Sequence, residues 1–200
     1  MEQWKVKVIV WDYLQVIFWS FTYALIILNG FRSWKAKDYC LQMPLLAGLL
    51  NLSWEVNAMI VSAGLWGHVL WLLLDVVIYV QNLIRISRQK SRRYTCMYVS
   101  CLLIMTAVLH WLFLTWSAGM LVSCFAIDGM MACNFLRAEK KLSDYGKISI
   151  AVTKFAGDTF AWLSYFRSSA FVRITGCIVF FMNLFYLALC LESNRTQERG

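Results

Sequence analysis

Seven apolar stretches follow one another along a chain that contains a single proline. They run approximately over 9–29, 43–63, 66–84, 95–114, 116–136, 148–166 and 171–191. A helix needs ~20 apolar residues to cross the hydrocarbon of a bilayer. Inside it, backbone polar groups must be bonded within their own segment, so such stretches are read as helices. The expected fold is all-α: a polytopic membrane protein with seven transmembrane helices, one membrane domain over 1–200. The second and third spans are separated by a very short turn at Ala63-Gly64. The fourth and fifth are nearly continuous, which leaves one long kinked helix as the alternative there.

Composition agrees. Hydrophobic residues make up 60% of the chain and charged ones 15%, where a soluble domain is nearer half apolar. The net charge of +8 does not point to nucleic acid, because the basic residues cluster in short loops between apolar stretches. Loop 30–42 carries Arg32, Lys35 and Lys37. Loop 85–94 carries Arg85, Arg88, Lys90, Arg92 and Arg93, and loop 137–147 carries Arg137, Lys140, Lys141 and Lys147. The tail adds Arg195 and Arg199, while the other side has only Lys5, Lys7, Arg167 and Arg173. The positive-inside rule puts the heavy side in the cytosol, the N-terminus lumenal or outside and the C-terminus cytosolic. The N-terminal run is long, carries Asp12 and lacks a small-x-small cleavage site, so it reads as the first span rather than a signal peptide. No internal repeat is visible, which disfavours an inverted-repeat transporter. The seven cysteines form no CxxC and the chain has two histidines, so no metal is expected and the cysteines read as small buried apolar residues.

Acids inside the spans are the informative residues. Glu55, Asp75, Asp128 and Asp158 fall near mid-span; Asp12 and Glu192 lie nearer span ends. Glu55 sits within Asn51-Leu-Ser-Trp54-Glu55-Val-Asn57. An ionised carboxylate in hydrocarbon is costly, so Glu55 is expected to be protonated, paired or lining a polar cavity. Asn51 lies one turn earlier on the same face, with Gly48 and Met59 continuing it, and can bond Glu55 or a neighbouring helix. The plainer alternative is a Glu used as interhelical glue. Trp71, Asp75 and Tyr79 form one stripe of the third span, with His68 close to it. The short turn makes that span antiparallel to the second and puts Glu55 and Asp75 at similar depth, where two carboxyls share protons unequally. An Asp75 bonded to backbone or to a Tyr for packing is the alternative. Asp158 has Lys154 one turn earlier, which reads as an internal ion pair, and Asp128 reads as structural. Asn183, midway along the last span, suits interhelical bonding or holding an oxygen. Trp54, Trp71, Trp162 and Phe185 are expected to be deep; ring faces stabilise cations, or simply fill the bundle.

Six stretches, in order, carry a resemblance. They are Lys37-Asp-Tyr-Cys-Leu-Gln-Met-Pro-Leu-Leu-Ala47; Asn51-Leu-Ser-Trp54-Glu55; Trp71-Leu-Leu-Leu-Asp75-Val; the loop from Leu136-Arg137 to Gly146 and Ser149; Lys154-Phe-Ala-Gly157-Asp158-Thr159-Phe-Ala161; and the last span around Asn183 and Tyr186. Together, over about 30 to 195, they resemble the integral-membrane terpene cyclases of fungal meroterpenoid and indole-diterpene biosynthesis. Asn-x-x-Trp-Glu followed by Trp-x-x-x-Asp is the specific part. The resemblance implies seven spans in an endoplasmic reticulum membrane.

It also implies an activity. An acid opens the terminal epoxide of a farnesyl or geranylgeranyl chain carried on an aromatic, pyrone or indole head, and the polyene folds into rings. The family's membrane glutamate matches Glu55. Its second acid, on the last span, is replaced by Asn183, and Asp75 or Asp158 is the candidate for the missing carboxyl. The expected catalytic residues are Glu55, Asn183 and Asp75. The expected substrate-binding residues are Asn51, Trp54, Trp71, Tyr79, Asp158 and Tyr186. The substrate would enter from the lipid; no cofactor and no Asp-rich diphosphate motif is involved. Three other functions compete: a proton-coupled carrier using the same acids, a non-catalytic scaffold for other pathway enzymes, and a seven-helix receptor. The last is disfavoured by the absence of lysine from 171–191 and of an Asp/Glu-Arg-Tyr signal.

Overall fold

The computed structural model describes residues 2–35, 45–61, 66–138 and 144–197, with side chains over 10–32, 45–61, 66–88, 90–132 and 148–192. All regular structure among these residues is helical: α1 Glu2–Lys35, α2 Leu45–Val61, α3 Trp66–Gln89, α4 Arg92–Thr115, α5 Gly119–Ala138, α6 Asp144–Tyr165 and α7 Ala170–Gln197. The all-α expectation holds. Four segments are long and apolar enough to cross a membrane: Val10–Arg32, Trp66–Arg88, Arg92–Thr115 and Ala170–Glu192. Leu45–Val61 and Gly119–Ala132 are apolar but shorter. Four such helices mark a membrane protein.

Helix ends fall where local chemistry puts them. Trp116, extended at φ −133° and ψ 114°, closes α4 with its N–H on Leu112 O, and Gly119 N–H returns to Trp116 O at 2.8 Å. This break separates α4 from α5 and removes the single-kinked-helix alternative. Ser169 Oγ accepts the Val172 N–H at 3.2 Å, an N-cap bond that satisfies an otherwise orphaned donor of α7.

The basic loops are shorter than expected. α1 continues to Lys35 and α3 to Gln89, so Arg32, Arg85 and Arg88 are on helices and only Lys90 and Ser91 join α3 to α4. Polar residues do not stop a helix when nothing breaks it. Lys37, Ala63-Gly64, Lys140 and Lys141 lie outside the described residues, as does most of the first resembling stretch.

The chain divides by packing into two compact units, residues 26–120 and residues 1–25 with 121–200. In the first, α2 packs on α3 and α4. Its core joins Leu49, Leu52, Tyr79, Ile86 and Tyr98, and the Tyr79 and Tyr98 rings stack at 5.0 Å. In the second, Phe125, Ala161, Val172 and Val179 form the core, with Trp162 against it. Gly157 lets α6 come close to Trp19 of α1, and Gly176 lets α7 come close to Trp162.

Candidate functional site

Each unit encloses its own polar cluster. In the 26–120 unit the cluster is built by α2, whose four polar residues alternate between two faces. Asn51 and Glu55, one turn apart, face α3. The Asn51 amide donates to both oxygens of Asp75 at 2.8 Å, and Glu55 Oε2 lies 3.0 Å from His68 Nδ1. Ser53 and Asn57, offset by two, face α4. The Asn57 amide donates to Ser53 O and Thr106 O at 2.9 Å, and its Oδ1 meets His110 Nδ1 at 2.9 Å. Spacing of four along a helix keeps each pair on one face; the offset of two turns the second pair toward the other neighbour.

Burial of these acids is nearly complete: Glu55 is 3% exposed and Asp75 1%. Asp75 stands opposite Asn51 rather than opposite Glu55. The two carboxyls lie within electrostatic reach of each other. The Glu55 partner is His68, which the sequence placed only beside the Trp71–Asp75–Tyr79 stripe. No local signal pairs these two residues, because thirteen positions and a turn separate them in the chain; the antiparallel register of α2 and α3 brings them together.

Aromatic rings surround the Glu55–His68 contact. His68 lies 5.7 Å from the Trp54 ring and 5.6 Å edge-on from Trp71, centroid to centroid. Trp54 is fixed by its Nε1–H on Met120 O at 3.1 Å and by an edge contact with Phe113. Trp54, Trp71 and Tyr79 are all buried, as expected. Trp71 Nε1–H and Tyr79 O–H, one turn on either side of Asp75, are buried donors without an acceptor among the described residues. Such donors normally find a partner. Phe185, expected among the deep rings, is 60% exposed on the outer face of α7, and Trp162 is half-buried.

The other unit holds the second cluster. Lys154 Nζ lies 2.5 Å from Asp158 Oδ2 and 5.1 Å from the centre of the Trp19 ring. The Asn183 amide donates to the same Asp158 oxygen at 2.5 Å. Asp128, from α5, lies within electrostatic reach of Asp158 and accepts a long bond from Cys124 Sγ. Lys154, Asp158 and Asn183 are each 2% exposed or less. The internal ion pair read from the sequence is thus present, extended by Asn183 from α7 and Asp128 from α5. Tyr186, one turn beyond Asn183, is buried at 1% exposure.

The sequence-predicted residues fall into two groups. Asn51, Trp54, Glu55, Trp71, Asp75 and Tyr79 come together in the 26–120 unit, and Asp158, Asn183 and Tyr186 belong to the other. The Asn183 amide holds the Asp158 carboxyl of the neighbouring helix in sequence. No protein-family model, no curated protein and no solved structure matches this chain.

Proposed function

We propose that the chain is a seven-span membrane cyclase in which Glu55, as a carboxylic acid, protonates the terminal epoxide of a prenylated substrate that enters from the lipid. The observation that carries this reading is Glu55 itself, a carboxyl 3% exposed, walled by Trp54, His68 and Trp71 and backed by a second buried carboxyl on Asp75. Protonation of the epoxide oxygen breaks its bond to the more substituted carbon. The polyene attacks that carbon, and a proton leaves at the far end of the cascade. Indole faces stabilise the moving positive charge, and exclusion of water prevents early capture of the cation. Asn51 keeps Asp75 in place with a two-oxygen clamp. The acceptor-seeking Trp71 Nε1–H and Tyr79 O–H suit oxygens of an otherwise apolar substrate.

The topology is part of the proposal: N-terminus lumenal, C-terminus cytosolic, in the endoplasmic reticulum. Glycosylation acceptor sites introduced singly into the connecting segments test it, since only those on the lumenal side become modified.

The activity is tested by product analysis. Membranes expressing the wild type or Glu55→Gln are fed epoxidised farnesyl and geranylgeranyl substrates on aromatic, pyrone and indole heads. A cyclised product from the wild type that is missing from the variant is the expected result. Equal product from both removes Glu55 as the acid. No product from either, with the protein folded, moves the assignment to a scaffold or a proton-coupled carrier.

A further inference from the structure

An acid that gives its proton away must recover it before the next substrate arrives. Glu55 is poorly placed to do so alone: its side chain is 3% exposed, whereas that of His68 is 13% exposed. His68 is the third residue of α3, two positions from Trp66, which is 56% exposed at the start of the helix. Two residues of helix amount to ~3 Å along the axis, so the ring lies at the end of the candidate span Trp66–Arg88. Its Nδ1 is 3.0 Å from Glu55 Oε2, and Trp54 and Trp71 flank it. The imidazole therefore stands between a sequestered carboxyl and the more exposed first residues described of α3.

We propose that His68 is the proton relay that recharges Glu55 between turnovers, a role that rests on Glu55 being the acid. After the epoxide oxygen has taken the Glu55 proton, the carboxylate accepts the Nδ1 proton of His68 on Oε2 as Nε2 takes one from water. Exchange with water through the imidazolium, one proton gained on Nδ1 and one lost from Nε2, restores the starting tautomer. The proton lost at the end of the cascade goes to solvent, so the cycle is balanced and leaves an isomerised product. Both ring nitrogens of histidine can carry a proton, which suits it to this transfer.

The test compares full-length wild type, Glu55→Gln, His68→Ala and His68→Asn in membranes, on whichever epoxidised substrate the wild type cyclises, with and without added imidazole. His68→Asn keeps an N–H near the Nδ1 position and so keeps the bond to Glu55, but it cannot pass a proton on. Both His68 variants are expected to lose on the order of 10²-fold in kcat with KM little changed, and imidazole is expected to restore His68→Ala alone. A His68→Asn protein that turns over like the wild type overturns the relay and leaves His68 as a structural partner. Failure of imidazole to raise the rate of a folded His68→Ala protein overturns it as well. Undiminished product from Glu55→Gln instead overturns the reading of Glu55 on which the relay rests.

Discussion

The Asn183 amide and the Lys154 ammonium share one acceptor, Asp158 Oδ2, each at 2.5 Å. Asn183 therefore ties α7 to an ion pair that α6 already makes within itself. Removing the amide leaves a buried charge short of one donor, at a cost of about 1–3 kcal/mol. Asn183→Leu is expected to lower the thermal midpoint of the detergent-solubilised protein. Asn183→Asp replaces the donor with a third carboxyl beside Asp158 and Asp128 and is expected to lower it further. A midpoint unchanged in both variants means that Asp158 does not depend on α7.

Lys154 is buried at 0% exposure, and its charge is compensated by Asp158. Lys154→Met strands the aspartate and is expected to cost about 3–5 kcal/mol, whereas replacing both partners with apolar residues of similar size costs much less. Unfolding of Lys154→Met, Asp158→Leu and the double variant forms the cycle that measures this. Additive losses would show that the pair is not coupled.

A Cβ on Gly157 meets Trp19 Cδ1 at 2.8 Å. Because the obstacle is a packed indole rather than a flexible chain end, Gly157→Ala is expected to destabilise by about 1–3 kcal/mol. Trp19→Leu in the same chain relieves the overlap, so the double variant should lose less than the two single losses added together. Strict additivity in thermal unfolding would argue against the close approach.

Asp75 depends on Asn51 for both of its oxygens. Asn51→Leu, similar in size but without the amide, is expected to destabilise by about 1–3 kcal/mol, since a buried carboxyl loses its hydrogen-bond donor. If Asp75 also takes part in cyclisation, Asp75→Asn lowers product formation while the protein remains folded, and Asp158→Asn affects stability first. Product assays run beside unfolding curves on the two variants separate these roles; full activity in Asp75→Asn removes it from the catalytic set.

What could be read from the sequence follows from how far apart the interacting residues are. Helical spans were legible because hydrophobicity accumulates over ~20 neighbouring residues. The Lys154–Asp158 pair was legible because four residues along one helix is a fixed geometry. Asn51–Asp75 and Glu55–His68 were not, because their partners depend on the register between two helices, which the pattern of apolar residues does not fix. Charge misled at 85–94: basic residues were read as loop, but nothing there breaks a helix, and α3 runs through Arg85 and Arg88. Phe185 misled for a different reason. A lipid-facing surface is as apolar as a core, so a large ring in a span carries no sign of which way it points.

The two-faced polar pattern of α2 has a consequence for how the chain is made. Its amides and carboxyl find their partners on α3 and α4, which are synthesised later. When it first leaves the ribosome it offers the bilayer unmet polar groups. These groups are met only once the next two helices are in place, so α2, α3 and α4 are expected to assemble as one unit rather than in turn. In a chain ending after residue 65, a cysteine introduced at Val56 should react with a water-soluble thiol reagent, and in one ending after residue 120 it should be protected.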